Sequence, residues 1–363
     1  MPTASAPSSA PHDLAAPQAA ARSFRIAING YGRIGRCYLR ALHEAGLAEH
    51  YRIVAINEPS DLAGITYLTR FDSTHGRFPG VVDRTERELV VDGHAITVTH
   101  ASTPEEVDWR RLDLDLIVEC SGRYGSRRAL QRFIDAGCPR LLLSHPGNGT
   151  EDVDATVVFG VNHGELDGSE RLVSNASCTT NAVIPVLECL HRELGIEHVL
   201  LTTLHSAMND QPLIDGYHHA DLRRTRSAMQ SIIPVSTGLA RGVERLLPAL
   251  AGRVQAKAIR VPTHNVSAID MVLTLSRDVS AEAINRLLRA SAAGQRGLVA
   301  WSDEAHASID FNHDPHSAIL DGSQTRAVGP RMINLMIWFD NEWGFASRMV
   351  DVTRHWLAAA FAR

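Results

Sequence analysis

Three glycines in the spacing Gly30-x-Gly32-x-x-Gly35, placed directly behind the apolar run Phe24-Arg25-Ile26-Ala27-Ile28, limit the fold of this chain more than any other feature. In a strand–turn–helix setting, the first glycine of this fingerprint permits the tight turn. The second lets backbone approach a pyrophosphate, and the third lets helix and strand pack closely. The pattern predicts a helix over 36–47, with Leu39 and Leu42 facing inward, and a second strand over 51–56. Further short apolar runs at 114–119, 140–143 and 155–161 are separated by helix-length segments. Strands alternating with helices imply a parallel sheet covered on both faces, a Rossmann-type, doubly wound α/β domain. Beyond residue 177 the apolar runs lengthen and alternate differently, at 197–204, 255–261, 267–275 and 332–339. That texture predicts an α+β domain with a mixed, largely antiparallel sheet. A last helix is expected over 343–361, with Phe345, Met349, Val352, Trp356 and Phe361 on its apolar side. The expected organisation is a disordered tail at 1–22, a dinucleotide domain at 23–177 completed by the helix at 342–363, and a catalytic domain at 178–341.

The tail reading follows from composition, because residues 1–22 are dominated by Ala, Pro and Ser with little to bury. Pro2, Pro7, Pro11 and Pro17 interrupt any apolar core of a secretory signal, and a single Arg is too few for a mitochondrial presequence. Across 363 residues, 36 Lys and Arg stand against 41 Asp and Glu, a net charge of −5. That balance gives no sign of a nucleic-acid partner. No run reaches the ~18 apolar residues of a membrane span, so no membrane partner is expected. Five widely spaced cysteines suit a reducing cytoplasm better than a disulfide framework.

The second strand ends at Asn57-Glu58, 23 residues beyond Gly35. A carboxylate there accepts adenosine ribose hydroxyls and repels a 2′-phosphate, and no Arg follows immediately, so the expected cofactor is NAD and not NADP. Ser121, in Cys120-Ser121-Gly122, ends another strand at the same sheet edge and is a further candidate contact. In Ser174-Asn175-Ala176-Ser177-Cys178-Thr179-Thr180-Asn181, Ser and Asn precede an apolar helical segment, which places Cys178 at or near a helix N-terminus. Unpaired N–H groups there favour a thiolate and donate to an oxyanion. Cys37, Cys120, Cys138 and Cys189 read as small buried hydrophobes in apolar surroundings. A thiolate needs a base or ion-pair partner. Among 18 histidines, His205 at the end of a strand competes with His313 and His316, which flank Asp314-Pro315 without the further ligands a zinc site requires. No metal is expected. Arg223, Arg224 and Arg226, with Arg260 closing a strand, offer guanidinium forks for phosphate, and Ser236-Thr237-Gly238 offers a hydroxyl and a flexible backbone N–H.

Taken together and in order, NGYGRIGR (29–36), SNASCTTN (174–181), TLHSAMNDQ (203–211), LRRTR (222–226), the SIIP-x-STG segment, RVPTHNVS (260–267) and WFDNEWG (338–344) resemble the glyceraldehyde-3-phosphate dehydrogenase family over residues 24–361. Glu58, the LLSHPG and HSAMNDQ segments, and DFNHDPHSAI (310–319) look closer to its erythrose-4-phosphate branch, whose acid product feeds pyridoxal phosphate synthesis. The resemblance implies Cys178 as nucleophile and His205 as its activator. It further implies Arg33 and Ile34 beside NAD, Asn341 on the nicotinamide amide, and Ser177 and Thr179 beside the substrate. Arg224, Thr237, Gly238 and Arg260 would form the anion sites, and the assembly would be a homotetramer in which the Arg224 loop reaches a neighbour. Met208 stands where phosphorylating members usually carry Thr, which implies a weakened phosphate site. An apparent one-residue insertion at 216–220 leaves the choice of Arg224 over its neighbours open. The implied reaction is oxidation of a phosphorylated aldehyde through a thiohemiacetal and thioester, released by water. The competing readings are the phosphorylating reaction and an inactive NAD-binding scaffold.

Overall fold

A computed structural model of the chain describes residues 22–362. The tail expected to be disordered, 1–22, lies, but for its last residue, outside that range. Arg22 departs from the expectation. It ion-pairs with Asp115 at 2.5 Å and lies 4.1 Å over the Phe361 ring, stitching the start of the chain to its end.

The first strand, β1 (Phe24–Asn29), buries Ile26, Ala27 and Ile28 completely. Gly30 turns the chain at φ +85°, and a Cβ there would meet the Ser121 nitrogen at 2.4 Å, so no other residue fits. Helix α1 (Arg33–Glu44) therefore begins three residues earlier than the apolar spacing predicts, with Gly32 as N-cap and a polar first turn. β2 (Tyr51–Asn57) and α2 (Leu62–Arg70, capped by Asp61) follow, then a short hairpin of β3 (Phe71–Asp72) and β4 (Gly76–Arg77).

The sheet is not wholly parallel, which corrects the sequence expectation. β5 (Val82–Arg84), β6 (Glu88–Val91) and β7 (His94–Thr99) form an antiparallel meander whose last strand joins β2 in parallel. The physical reason is a two-residue turn, Asp92-Gly93, with φ of +48° and +81°, whose backbone hand suits a tight hairpin. The rest is parallel: β8 (Leu116–Glu119), α3 (Arg127–Asp135), β9 (Leu141–Leu143), β10 (Ala155–Thr156) and β11 (Leu172–Ser174) complete the order β10-β11-β9-β8-β1-β2-β7-β6-β5. The run expected as a strand to Val161 pairs only over Ala155–Thr156, and Val157 and Val158 continue as buried loop.

The second layer opens with α4 (Cys178–Leu194) and the long strand β12 (Ile196–His205). After β13 (Ile233–Val235), α5 (Leu239–Leu246), β14 (Val254–Arg260), β15 (Ser267–Leu275), α6 (Ala281–Gly294), β16 (Val299–Ser302), β17 (Ala318–Val328) and β18 (Met332–Phe339), the strands assemble as β13-β14-β12-β15-β18-β17-β16. This sheet is mixed, with antiparallel pairs at its centre and parallel pairs β12–β14 and β16–β17. One face meets α4, α5 and α6 in a core containing Ile184, Leu187, Ile269 and Leu335. The closing helix α7 (Trp343–Phe361) returns to the first sheet, where Met349, Val352 and Trp356 pack with Tyr38 and Leu42 of α1. No helix among the described residues is long and apolar enough to cross a membrane.

Candidate active site

Cys178 occupies the first position of α4. Ser177 caps the helix, its hydroxyl accepting from the Thr180 N–H at 3.1 Å and meeting the Thr180 hydroxyl at 2.7 Å. The Ser177 side chain is thus committed to fixing the helix start. Left-handed Ala176 (φ +56°) turns the chain out of β11 into that cap. The Cys178 sulfur lies 3.8 Å from His205 Nε2 and 3.8 Å from the Thr179 hydroxyl. His205 ends β12, and its Nδ1–H donates to the Ser206 carbonyl at 2.9 Å, which presents Nε2 to the sulfur. Burial alone would push the Cys178 thiol up. Its hydrogen bond and charge interaction with His205, helped by Thr179, outweigh burial and hold the thiol below its ordinary value. Burial likewise opposes charge on His205, yet the facing sulfur and the Ser206 carbonyl raise it, against a smaller opposing effect of Arg260. Both shifts favour a thiolate–imidazolium pair. His313 and His316 lie in a separate cluster, so the geometry selects His205 as the partner.

Register brings the anion groups to the same place. His205 and Arg260 are paired residues on adjacent strands β12 and β14. Arg260, 5 % exposed, meets Asp210 through both terminal nitrogens at 2.5 and 3.0 Å, and Arg224 joins the same carboxylate at 2.8 Å. Arg226 pairs elsewhere with Asp215, and Arg223 is exposed, so of the LRRTR arginines it is Arg224 that stands with Arg260. The Met208 thioether lies 3.6 Å from Arg260, where it contributes no proton. Thr237 and Gly238 form the exposed start of α5, the Thr237 hydroxyl accepting from the Leu239 N–H at 3.2 Å. α5 packs on the first turn of α4 at Gly242, where a Cβ would meet the Thr180 hydroxyl at 3.2 Å.

The dinucleotide cradle lies at the carboxyl edge of the first sheet. A cavity there is lined by Gly30, Gly32, Glu58, Ser102, Ser121 and Tyr124, among others. A Cβ on Gly32 would meet nothing within 4 Å, whereas Cβ atoms on Gly30 and Gly35 would strike backbone at 2.4 Å, so the loop is open on one side and tightly seated on the other. Glu58 leans over the loop, accepting from the Tyr31 N–H at 2.8 Å. Arg33 and Ile34 supply the first-turn N–H groups of α1, while the Arg33 guanidinium is held by Asp72 (2.5 Å) and Glu342 (2.7 Å). Asn341 is fixed through its Oδ1, which accepts from the Ser206 hydroxyl (3.0 Å) and the Ser267 hydroxyl (2.8 Å). Its Nδ2 has no partner among the described residues, a donor suited to a nicotinamide carbonyl. Ser267 follows Val266, a β-branched residue at φ +63°, so the backbone carries strain beside this contact. These features fit NAD.

Three residues at the cradle escaped the sequence reading. Glu119, fully buried at the end of β8, accepts from Asn29 Nδ2 (2.5 Å), the Ser121 N–H (2.7 Å) and the Ser121 hydroxyl. Tyr124 and Ser102 line the same cavity as Glu58 and Ser121. The only available signal was the polar residue ending each strand: Asn29, Asn57, Thr99 and Glu119. Cys37 also departs from expectation. It is buried, but beside His75 and Glu342, all three ligand atoms lying within 4.8 Å of one another. That trio could offer donors to a metal, but Glu342 already receives the Arg33 guanidinium and the His75 ring, which leaves the carboxylate neutralised.

A dinucleotide cradle beside an activated thiol and a pair of anion-binding arginines defines an NAD-dependent oxidoreductase acting on phosphorylated aldehydes. Sequence comparison agrees: residues 24–127 match the model of the glyceraldehyde 3-phosphate dehydrogenase NAD binding domain, and residues 177–341 that of the glyceraldehyde 3-phosphate dehydrogenase C-terminal domain. The chain belongs to the glyceraldehyde 3-phosphate dehydrogenase family.

Proposed function

We propose that the chain oxidises D-erythrose 4-phosphate to 4-phosphoerythronate in the cytoplasm, with water as the acyl acceptor. The observation that carries this reading is Met208, whose thioether rests on Arg260 where phosphorylating members of the family usually place a hydroxyl donor. One phosphate-binding donor is thereby absent, which disfavours inorganic phosphate as the attacking group and leaves the site to water.

The Cys178 thiolate adds to the aldehyde carbon, and the His205 imidazolium protonates the new alkoxide to give a thiohemiacetal. The N–H groups at the start of α4 and the His205 ring face that oxygen as charge develops, a type of contact worth about 3–4 kcal/mol of barrier per donor. NAD, when bound, supplies the hydride acceptor. His205 takes back the hydroxyl proton as the carbon becomes a thioester, then releases it to solvent. Neutral His205 next removes a proton from the attacking water. The thiolate departs, the acid leaves and the ion pair is restored. Arg224 and Arg260 hold the substrate phosphate in exchange for Asp210.

Initial rates with erythrose 4-phosphate and with glyceraldehyde 3-phosphate, each with and without inorganic phosphate, test the assignment. The four-carbon aldehyde is expected to turn over at a rate independent of phosphate, yielding the free acid. Turnover confined to the three-carbon aldehyde and strictly dependent on phosphate would reverse it.

We also infer a homotetramer. Leu213, Ile214, Tyr217, Leu222 and Ile232 crowd one loop with their side chains exposed, Tyr217 wholly so. An apolar strap of this kind marks a covered surface. Light scattering on the eluted protein is expected to give four chains at micromolar concentration, and the double variant Tyr217→Asp, Leu222→Asp smaller species. A monomeric wild type would refute the assembly.

A further inference from the structure

Two imidazoles lie in a chain between two carboxylates, away from the thiol. His75 Nε2 is 3.1 Å from Glu342 Oε2, His75 Nδ1 is 3.0 Å from His313 Nδ1, and His313 Nε2 is 2.8 Å from Glu44 Oε2. Each outer contact requires an N–H facing a carboxylate, and the central one requires a single proton between two nitrogens. Three protons on four nitrogens is one more than two neutral rings carry. The chain of contacts is therefore complete only when the pair holds one positive charge.

The surroundings suit that charge. From α1 come Arg33, Arg36, Arg40 and Glu44; the hairpin β3–β4 gives Asp72; the turn before α7 gives Asp340 and Glu342. Asp314 and His316, on the His313 loop, pair with each other. Besides Asp314, four carboxylates face three guanidiniums, so the cluster accommodates one added proton. The Cys37 thiol, pushed well up by burial, stays neutral. Burial opposes ionisation of Glu342, but Arg33 and then His75 hold it below the usual range, so it stays an acceptor. Arg40 donates to the His75 carbonyl at 2.7 Å, and the His313 ring stacks on Trp343 at 3.8 Å, which fixes both rings.

What the pair holds is the turn Asp340-Asn341-Glu342. The Asp340 carboxylate accepts from the N–H groups of His313 (2.7 Å), Glu342 (2.9 Å) and Trp343 (2.8 Å), while Glu342 is gripped by His75 and Arg33. Asn341 lies between these two anchors. We propose that His75 and His313 act as positioning residues, a pair sharing one extra proton that pins this turn and so aims the Asn341 amide at the nicotinamide. This rests on Asn341 as the nicotinamide contact and is independent of which aldehyde is oxidised.

The experiment measures the NAD dissociation constant of wild type and variants by calorimetry, with nitrogen-15 imidazole spectra of the wild type. The spectra are expected to show three protonated nitrogens on the His75–His313 pair. His313→Leu is expected to bind NAD about tenfold more weakly, with the iodoacetamide reactivity of Cys178 unchanged. His313→Gln, which accepts from a His75 protonated at both nitrogens and donates to Glu44, is expected to keep the affinity. Wild-type affinity in His313→Leu, affinity as weak in His313→Gln as in His313→Leu, or a wild-type pair carrying only two protons would overturn the proposal. Asn341→Ala, measured alongside, separates the links: unchanged NAD binding there removes the Asn341 contact and the proposal with it, whichever aldehyde proves to be the substrate.

Discussion

Cys178→Ser is expected to lower kcat for aldehyde oxidation by about four orders of magnitude or more, and His205→Asn by about 10²- to 10⁴-fold. The two losses have different signatures. Serine at the start of α4 keeps the cap and the oxyanion donors but supplies a hydroxyl that stays protonated. Asparagine at the end of β12 leaves the thiol in place and removes the group that ionises it. The wild-type thiol lies below its ordinary value and the imidazole above, and each shift favours the ion pair. Alkylation of Cys178 by iodoacetamide should accordingly rise with pH and level off at lower pH than that of an ordinary thiol. In His205→Asn burial acts without its counterweight, and the inflection should move to alkaline pH. An unmoved inflection would show that the helix start, rather than His205, ionises the sulfur.

How much of this was legible follows from where the signal resides. The cradle could be read because Gly30 and Gly35 are dictated by backbone contacts a few residues or one strand away, and the chemistry of those contacts admits no substitute. Cys178 could be placed because capping is local: Ser177 and its helix adjoin it. The closing helix and the strands Ser267–Leu275 and Met332–Phe339 fall where the apolar period places them, since each buries one face along its whole length.

Other features depend on partners remote in sequence. Choosing among the arginines at 223–226 requires Asp210 and Arg260, which the β12–β14 pairing and the loop after His205 bring together. Cys37 reads as apolar from its neighbours in α1, yet His75 and Glu342 meet it from 38 and 305 residues away. The meander at the sheet edge was signalled by Asp92-Gly93, but the three strands are too short for periodicity to resolve. The Asp340–Glu342 turn joins both kinds: its sequence marks a site, and its partners explain why the site holds still.

Between pH 4.5 and 7 the protein is expected to lose about 3 kcal/mol of stability through Glu119 alone. Burial at the end of β8 pushes this carboxyl up from 4.5 to about 7, against the opposing donors Ser121 and Asn29. Across that window the folded chain retains a proton that the unfolded chain has released. Stability from this group is therefore largest below pH 4.5, falls as pH rises through the window and is level above 7. Protonation is accommodated locally, because the Ser121 hydroxyl can turn from donor to acceptor, whereas the Ser121 N–H and Asn29 Nδ2 cannot. Glu119→Gln removes the titration. It also sets one amide N–H against Asn29 Nδ2, a pH-independent cost, so the slope and not the absolute stability carries the test. Urea unfolding of wild type and Glu119→Gln at pH 5 and pH 8 should show the variant gaining on the wild type towards pH 8, by most of that ~3 kcal/mol. Parallel behaviour would mean that the carboxyl is ionised throughout, and that the strand-end ladder from Glu119 to Asn29 and Asn57 carries a fixed charge beneath the adenosine site.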